Sequence, residues 1–475
     1  MTRNPFLALL ALVLFSSGSA FGAAPPATPR KASGVTLPPY SRVVLPNGAT
    51  LVLMEKRDVP LVAFTALMRG GSIADPQSKE GVAALTAQLL EKGAGKRNAL
   101  QFAEAVDNVG GTFSSNVNRE ALVINGEFLS RDTRLMTELL ADILRRPQFP
   151  ADEFPKVRSR AIDSIRAAKD SDPRSVIPVY AGSFLFGDHP YGKPSEGSET
   201  TLAAISREDV LNYYKNNFGG DRLIIAVVGD FDATSLSNTL KSAFGDWKKA
   251  PSSLTKPLAK EALKGRRVLL IDKPDATQTY FWIGNVGVSR TDPKLATIDL
   301  ANTVLGGRFT SLLNTALRIE SGLSYGARSQ MTRLAQPGAV AISSYTKTES
   351  TEKAVDLALD VLTRYKKSGM DAETLASAKS YVLGLFPPTL ETGSQLTERL
   401  AEIELYGLDR KDVDEYGAAI AAARGEQINS VINSVYPDPE NLTFVFVGNA
   451  AAMRDAVKKY GPMTEMKISD PRFAP

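Results

Sequence analysis

The sequence predicts an α+β fold of two homologous halves, each a mainly antiparallel β-sheet with helices packed on one face. Three observations carry that expectation. Hairpins and helix pairs are mixed within each half, as antiparallel sheets require and regular strand–helix–strand crossovers do not. The pattern restarts after a stretch at 250–263 that holds Pro251, Ser252, Ser253 and Pro257. Short motifs also recur at a nearly fixed separation: Asp142-Ile143-Leu144 returns as Asp360-Val361-Leu362, 218 residues on, Glu153 as Glu373, 220 on, and Val228-Gly229 as Val447-Gly448, 219 on. A looser match sets Gly111-Thr112-Phe113 against Leu323-Ser324-Tyr325, each after a helix and before a strand.

The elements follow in order. Apolar runs at 43–45 and 51–53 flank Pro46-Asn47-Gly48, and Asn-Gly accepts the positive φ angles of a tight hairpin turn. A third apolar run, 61–68, ends at Arg69-Gly70-Gly71. Helical periodicity covers 80–92, 99–108, 133–145 and 152–168, with further helices at 173–186 and 207–216. The run 223–228 is a buried strand that stops at Gly229-Asp230, and a helix follows over 232–243. In the second half, strands are expected at 267–272, 278–285, 324–331 and 338–345, and helices at 293–305, 310–320, 351–367 and 371–383. A closing strand at 442–447 precedes Gly448.

Composition narrows the function. With 475 residues, 43% hydrophobic and 23% charged, the chain has the make-up of a soluble globular protein long enough for two cores. A net charge of +4 without a dense basic run argues against nucleic acid. The absence of Cys excludes disulfides, thiolate metal sites and a cysteine nucleophile. The single histidine, His189, excludes any site that needs two imidazoles.

Residues 1–24 read as an export signal: Arg3, an apolar run at 6–15, and small residues at 20–24. The run is shorter than the roughly 20 residues that span a bilayer. The expected location is therefore the periplasm, the alternative being a signal retained as an N-terminal anchor. Residues 25–37, rich in Pro and Ala, read as a flexible lead-in.

Two motifs fail on context. Gly187-Asp188-His189-Pro190-Tyr191-Gly192-Lys193 has phosphate-loop spacing, but Pro194 stands where a metal-binding hydroxyl is needed and no strand leads in. Gly322-Leu323-Ser324-Tyr325-Gly326 matches the nucleophile elbow, but a helix precedes it, a strand follows, and no His comes after the Ser. His189 reads as a turn residue holding its loop.

Arg69-Gly70-Gly71-Ser72, Asp75-Pro76, Gly81-Val82-Ala83 and Lys92-Gly93 together resemble the pitrilysin/insulinase-type zinc peptidases, the inverzincins. The likeness continues through 186–194, Leu305-Gly306-Gly307, Leu317-Arg318 and Gly322-Leu323-Ser324-Tyr325, so it spans nearly all of the chain after the signal. The family's zinc helix places two His one turn apart with a Glu beside the second, so that both imidazoles meet one ion and the carboxylate polarises its water. Here those positions hold Ala84, Ala87 and Gln88, and the family's third ligand falls at or near Ser164, beside Asp163. The chain alone therefore has no metal site and no cofactor of its own. Ser114-Ser115 stands where the family's substrate-binding sheet edge carries Asn-Ala.

The resemblance also implies what is kept. The family uses an Arg near a helix end and a Tyr seven residues later to hold the substrate backbone and scissile carbonyl, and Arg318 and Tyr325 have that spacing. A cation and a phenol donor suit a developing oxyanion. On local sequence alone, Arg318 reads as a surface arginine paired with Glu320, and Tyr325 as packing on a strand. The resemblance divides the chain into a peptidase-like domain at 38–249 with the degenerate motif, a linker at 250–263, a second such domain at 264–463 with the Arg/Tyr pair, and a tail at 464–475. It implies a non-zinc-binding subunit of a periplasmic heterodimeric endopeptidase, whose homologous partner carries zinc and the general base. Unfolded peptides are the expected substrates. The alternatives are a catalytically dead scaffold or peptide-binding protein of the same fold, or a homodimer that captures peptides without cutting them.

Overall fold

In the computed structural model, residues 34–475 are described; the expected export signal and most of the lead-in lie outside the described residues. The first hairpin forms as its turn residues dictate. Gly48 takes a φ of 97°, and Val44 pairs antiparallel with Thr50. Asn47 fixes the turn by donating to the carbonyls of Phe244 and Trp247, each at 2.8 Å.

Two six-stranded sheets result. The first runs Ser41–Val44, Thr50–Glu55, Leu223–Gly229, Leu61–Arg69, Ala121–Leu129, Thr112–Val117. The second runs Met463–Lys467, Arg267–Asp272, Thr443–Gly448, Gln278–Val286, Pro337–Lys347, Ala327–Arg333. Apart from the first strand of each, the order is the same element for element, which is the duplication expected from the sequence. The outer strand differs in origin. In the first sheet it comes from the N-terminal side and is antiparallel; in the second it is supplied by Met463–Lys467, within and just before the segment read as a tail, and is parallel to Arg267–Asp272. Antiparallel pairs predominate in both sheets; Thr50–Glu55 also runs parallel to Leu223–Gly229, and Thr443–Gly448 to Arg267–Asp272.

Side-chain alternation gives each sheet two apolar faces. In the first, Phe64, Met68, Ile225 and Val227 pack on the half's own helices, while Val52, Met54, Ile224 and Val228 face the other way. That second face is covered by Leu396, Leu400 and Ile403 of helix Gly393–Tyr406, which belongs to the second half. The exchange is reciprocal. Helix Pro173–Phe186 of the first half lies on Gln278–Val286 and Thr443–Gly448 of the second sheet, where Val176, Ile177 and Tyr180 join one core with Leu269, Ile271 and Val445. The opposite face, with Val268, Phe281 and Phe444, packs on the second half's own helices. The exchanged helices begin at Pro173 and Gly393, 220 residues apart, so they occupy the same place in the duplicated order. Each fully buried Leu or Ile contributes about 1.5–3 kcal/mol, so neither sheet is satisfied without the other half's helix.

Two arginines lock the exchange. Arg69 donates to the carbonyls of Glu404 and Leu405 at the end of one exchanged helix (2.7 and 3.4 Å). Arg267 does the same for Phe184 and Leu185 at the end of the other (2.7 and 3.2 Å). Cations at helix C-termini satisfy carbonyls that have no intrahelical partner.

The second half departs from the expected elements near its loops. The helix expected at 293–305 is regular only over Leu295–Asn302 and widens into π turns over Thr303–Gly307. The helix expected at 310–320 is a short turn, Leu312–Asn314, followed by π turns over Thr315–Glu320. The strand expected at 324–331 begins only at Ala327, because the Ser324 hydroxyl accepts from the Gly326 amide and closes a turn before the ladder starts. The lead-in ends in an anchored residue: Leu37 is buried, and its amide donates to Asp414 at 2.7 Å. Among the described residues, no helix is long and apolar enough to cross a membrane.

Candidate functional site

Helix Val82–Leu90 holds the positions that the resemblance assigns to the zinc helix, and its start is held by Asp75. The Asp75 carboxylate accepts from the amides of Gly81 (2.7 Å) and Ala83 (3.0 Å), satisfying donors that have no partner inside the helix. Burial pushes this carboxyl up to about 8 against the pull of those two amides. Ala84 and Ala87 are buried in the helix–sheet layer. Gln88 is half-buried and lines a cavity of about 440 Å³ together with Ser164 from helix Glu153–Ser171. The structure thus brings Gln88 and Ser164 to one cavity. Asp163 lies on the exposed side of its helix, beside Arg166 at 3.5 Å.

Two methyls, an amide and a hydroxyl do not fit a zinc ion, which takes imidazole, thiolate or carboxylate ligands. Among the described residues, no group of three His, Cys, Asp or Glu side chains could hold a metal ion. The Ala87 carbonyl accepts from the Ser115 hydroxyl at 2.7 Å, so Ser115 of the edge strand is tied to the helix.

Arg318 lies in the π-helical turns Thr315–Glu320 and is exposed; Tyr325 lies on the loop before the edge strand and is 75% exposed. Arg318 makes no ion pair with Glu320 among the described residues; its guanidinium sits 4.6 Å from the centre of the Phe309 ring. Tyr325 stacks on Tyr345 (6.4 Å between centroids), and Tyr345 on its cross-strand partner Tyr280 (5.6 Å). Phe309 and Tyr325 both line a groove of about 990 Å³; Arg318 covers the Phe309 ring but is not itself among the residues that line the groove. Pro178, Trp282 and Gln330 line both this groove and the cavity at Gln88, so the two spaces adjoin. Sequence reasoning missed Phe309, Tyr345 and Arg174, whose guanidinium lies 4.0 Å from the Tyr345 ring centre. No motif marks them; cross-strand register and the exchanged helix bring them together.

The two rejected motifs have structural work. His189 begins a single turn, Pro190–Gly192: its Nδ1 accepts from the Tyr191 amide (3.1 Å) and its Nε2 donates to the Leu258 carbonyl (2.8 Å). Ser324 is buried and hydrogen-bonded to Ser344 at 2.9 Å.

A duplicated α+β shell encloses the two adjoining cavities, and helix Val82–Leu90 beside one of them is capped by Asp75 and carries no histidine. Two family models match the chain: the one described as insulinase (peptidase family M16) over residues 51–197, and the one described as the peptidase M16 inactive domain over 204–382. The chain belongs to this family. Its relatives include an uncharacterized zinc protease of Streptomyces coelicolor, 24% identical over 85% of this chain and 89% of that protein. Another, of Mycobacterium tuberculosis, is 26% identical over 82% and 89%. Among solved structures, the peptidase M16 inactive domain from Pseudomonas fluorescens superposes with a TM-score of 0.81 at 23% identity, covering 86% of this chain and 98% of that one. A protease from Helicobacter pylori gives 0.79 at 19%, covering 86% and 100%. These two likenesses are likenesses of fold.

Proposed function

We propose that this chain is the non-zinc-binding subunit of a periplasmic, heterodimeric zinc metalloendopeptidase, paired with a homologous subunit that carries the zinc and the general base. The observation that carries the reading is the asymmetry of the two halves. The zinc helix keeps its Asp75 cap but presents Ala84, Ala87 and Gln88, whereas Tyr325 stands exposed on a groove lined by Phe309, whose ring Arg318 covers. In this reading Arg318 and Tyr325 grip an extended, unfolded peptide and place donors at its scissile carbonyl. Donors aimed at a developing oxyanion act most strongly where water is excluded, and losing one costs about 10²-fold or more in turnover.

The test is co-expression with a homologue bearing an intact His-x-x-Glu-His motif. The pair is expected to cleave an unstructured peptide that this chain alone leaves intact. Within the pair, Arg318→Ala or Tyr325→Phe is expected to lower kcat by about 10²-fold. Unchanged turnover in both variants removes the shared site and leaves the scaffold or peptide-binding alternative. For location, fractionation of cells expressing the full chain is expected to release it with the periplasmic contents.

A further inference from the structure

The groove beside Tyr325 carries positive charge without compensation. Its lining includes Arg174, Arg308 and Arg328 and no Asp, Glu or Lys, and Arg318, outside that lining, covers the ring of the lining residue Phe309. None of these four arginines is ion-paired among the described residues, whereas Arg290, Arg333 and Arg364 of the same half each meet a carboxylate.

Their settings leave donors free. Arg174 is held by ring faces, 4.0 Å from the centre of Tyr345 and 6.0 Å from that of Tyr280; a guanidinium stacked in this way keeps its N–H edges for a ligand. It also stands in the first turn of helix Pro173–Phe186, where the helix dipole opposes a cation, so helix stability does not account for it. Arg308 donates one bond to Ser377 at 2.9 Å, and its Nε is buried without a partner. Arg328 is exposed on the edge strand Ala327–Arg333. The adjoining cavity adds Arg119 and Lys193 against one carboxylate, Glu196.

We infer that this groove selects extended peptides carrying carboxylate side chains beside aromatic or apolar residues. The inference rests on the peptide-gripping role given above and specifies its substrate class. Guanidinium edges bind carboxylates in bidentate fashion, and apolar side chains can lie against the exposed surfaces of Tyr325 and Phe309, 75% and 61% exposed at the groove. The groove's volume suits a few residues of peptide, and the modest net charge of +4 over the whole chain does not suit a nucleic acid.

The test uses the full chain alone, without partner or metal. Three dansyl-labelled, C-terminally amidated decapeptides share one aromatic frame and carry three Glu, three Gln or three Lys. Isothermal titration is expected to show the Glu peptide binding about tenfold tighter than the Gln peptide, with the advantage shrinking as salt rises. The Lys peptide is expected to bind weakest. Arg174→Ala and Arg328→Ala, both at exposed side chains, are expected to weaken the Glu peptide about fivefold each and leave the Gln peptide within about twofold. Equal binding of Glu and Gln peptides, tighter binding of the Lys peptide, or no binding at all overturns the inference. So does a Gln peptide that gains the full affinity once its C-terminus is free, since the groove then reads chain ends. Because no cleavage is measured, failure of the heterodimer reading shows in the co-expression assay and failure of this one in the titration.

Discussion

Arg69 donates from its guanidinium to the carbonyl oxygen of Glu404 at 2.7 Å, 335 residues further along the chain. The arginine that opens the family-like motif of the first half thus closes the C-terminal end of a helix lent by the second half. The bond lies in the same region as the face formed by Leu396, Leu400 and Ile403 against the first sheet. Leu400→Ala is expected to cost about 2–5 kcal/mol in urea unfolding, the range for removing a buried leucine. Arg69→Ala is expected to cost about 1–3 kcal/mol, because it uncaps two helix-end carbonyls. Expressed separately, residues 34–249 expose Val52, Met54, Ile224 and Val228 and are expected to aggregate; supplying residues 250–475 in trans is expected to restore soluble material.

A second junction lies where the hairpin turns of the two sheets meet. The Glu120 carboxylate accepts from the Ala335 amide at 3.0 and 3.1 Å and from the Tyr191 hydroxyl, while the Gln336 amide donates to that hydroxyl at 3.1 Å. Glu120 is buried, so truncating it strands donors from both halves. Glu120→Ala is expected to lower stability by about 1–3 kcal/mol, and Tyr191→Phe by about 0.5–1.5. Limited proteolysis is expected to cut the segment 250–263 faster in both variants, since Leu258 is held by His189 of the same region.

Asp75 gives stability a pH dependence whose sign follows from its burial. Its carboxyl titrates near 3.8 in the unfolded chain and is pushed up to about 8 in the folded one. Between those values the folded state holds a proton that the unfolded state has released. The contribution is therefore fully present below about pH 4 and is lost as the pH rises toward 8. Asp75→Asn is expected to flatten the fall in urea midpoint between about pH 5 and 8; a slope equal to that of the wild type counts against this account.

Restoring the motif is not expected to restore a metal site. Ala84→His, Ala87→Glu and Gln88→His together supply two imidazoles but leave Ser164 as the third position. Ala84 and Ala87 are buried, so the larger side chains are expected to cost about 1–3 kcal/mol through overpacking. Elemental analysis after dialysis is expected to find no stoichiometric zinc in the triple variant. Full occupancy there contradicts the requirement for a third ligand.

Much of this protein was legible in its amino acids because periodicity is local. The helix Thr133–Arg145, the strand Arg267–Asp272 and the hairpin at Asn47-Gly48 depend on contacts within a few residues, so pattern and turn chemistry suffice for them. That Ala84, Ala87, Gln88 and Ser164 include no imidazole or carboxylate is likewise a matter of residue identity. Other features had a weaker local signal or none. The edge strand Thr112–Val117 is polar over most of its length, and the π turns around Arg318 arise where the chain is shaped by its neighbours. Above all, helices Pro173–Phe186 and Gly393–Tyr406 look like ordinary members of their own halves. A buried helix face records only that something apolar covers it, not which sheet does so. That choice is made by the second face of each sheet, and with it the tertiary structure alone decided that Arg174 reaches Tyr345 and that the two cavities adjoin at Pro178.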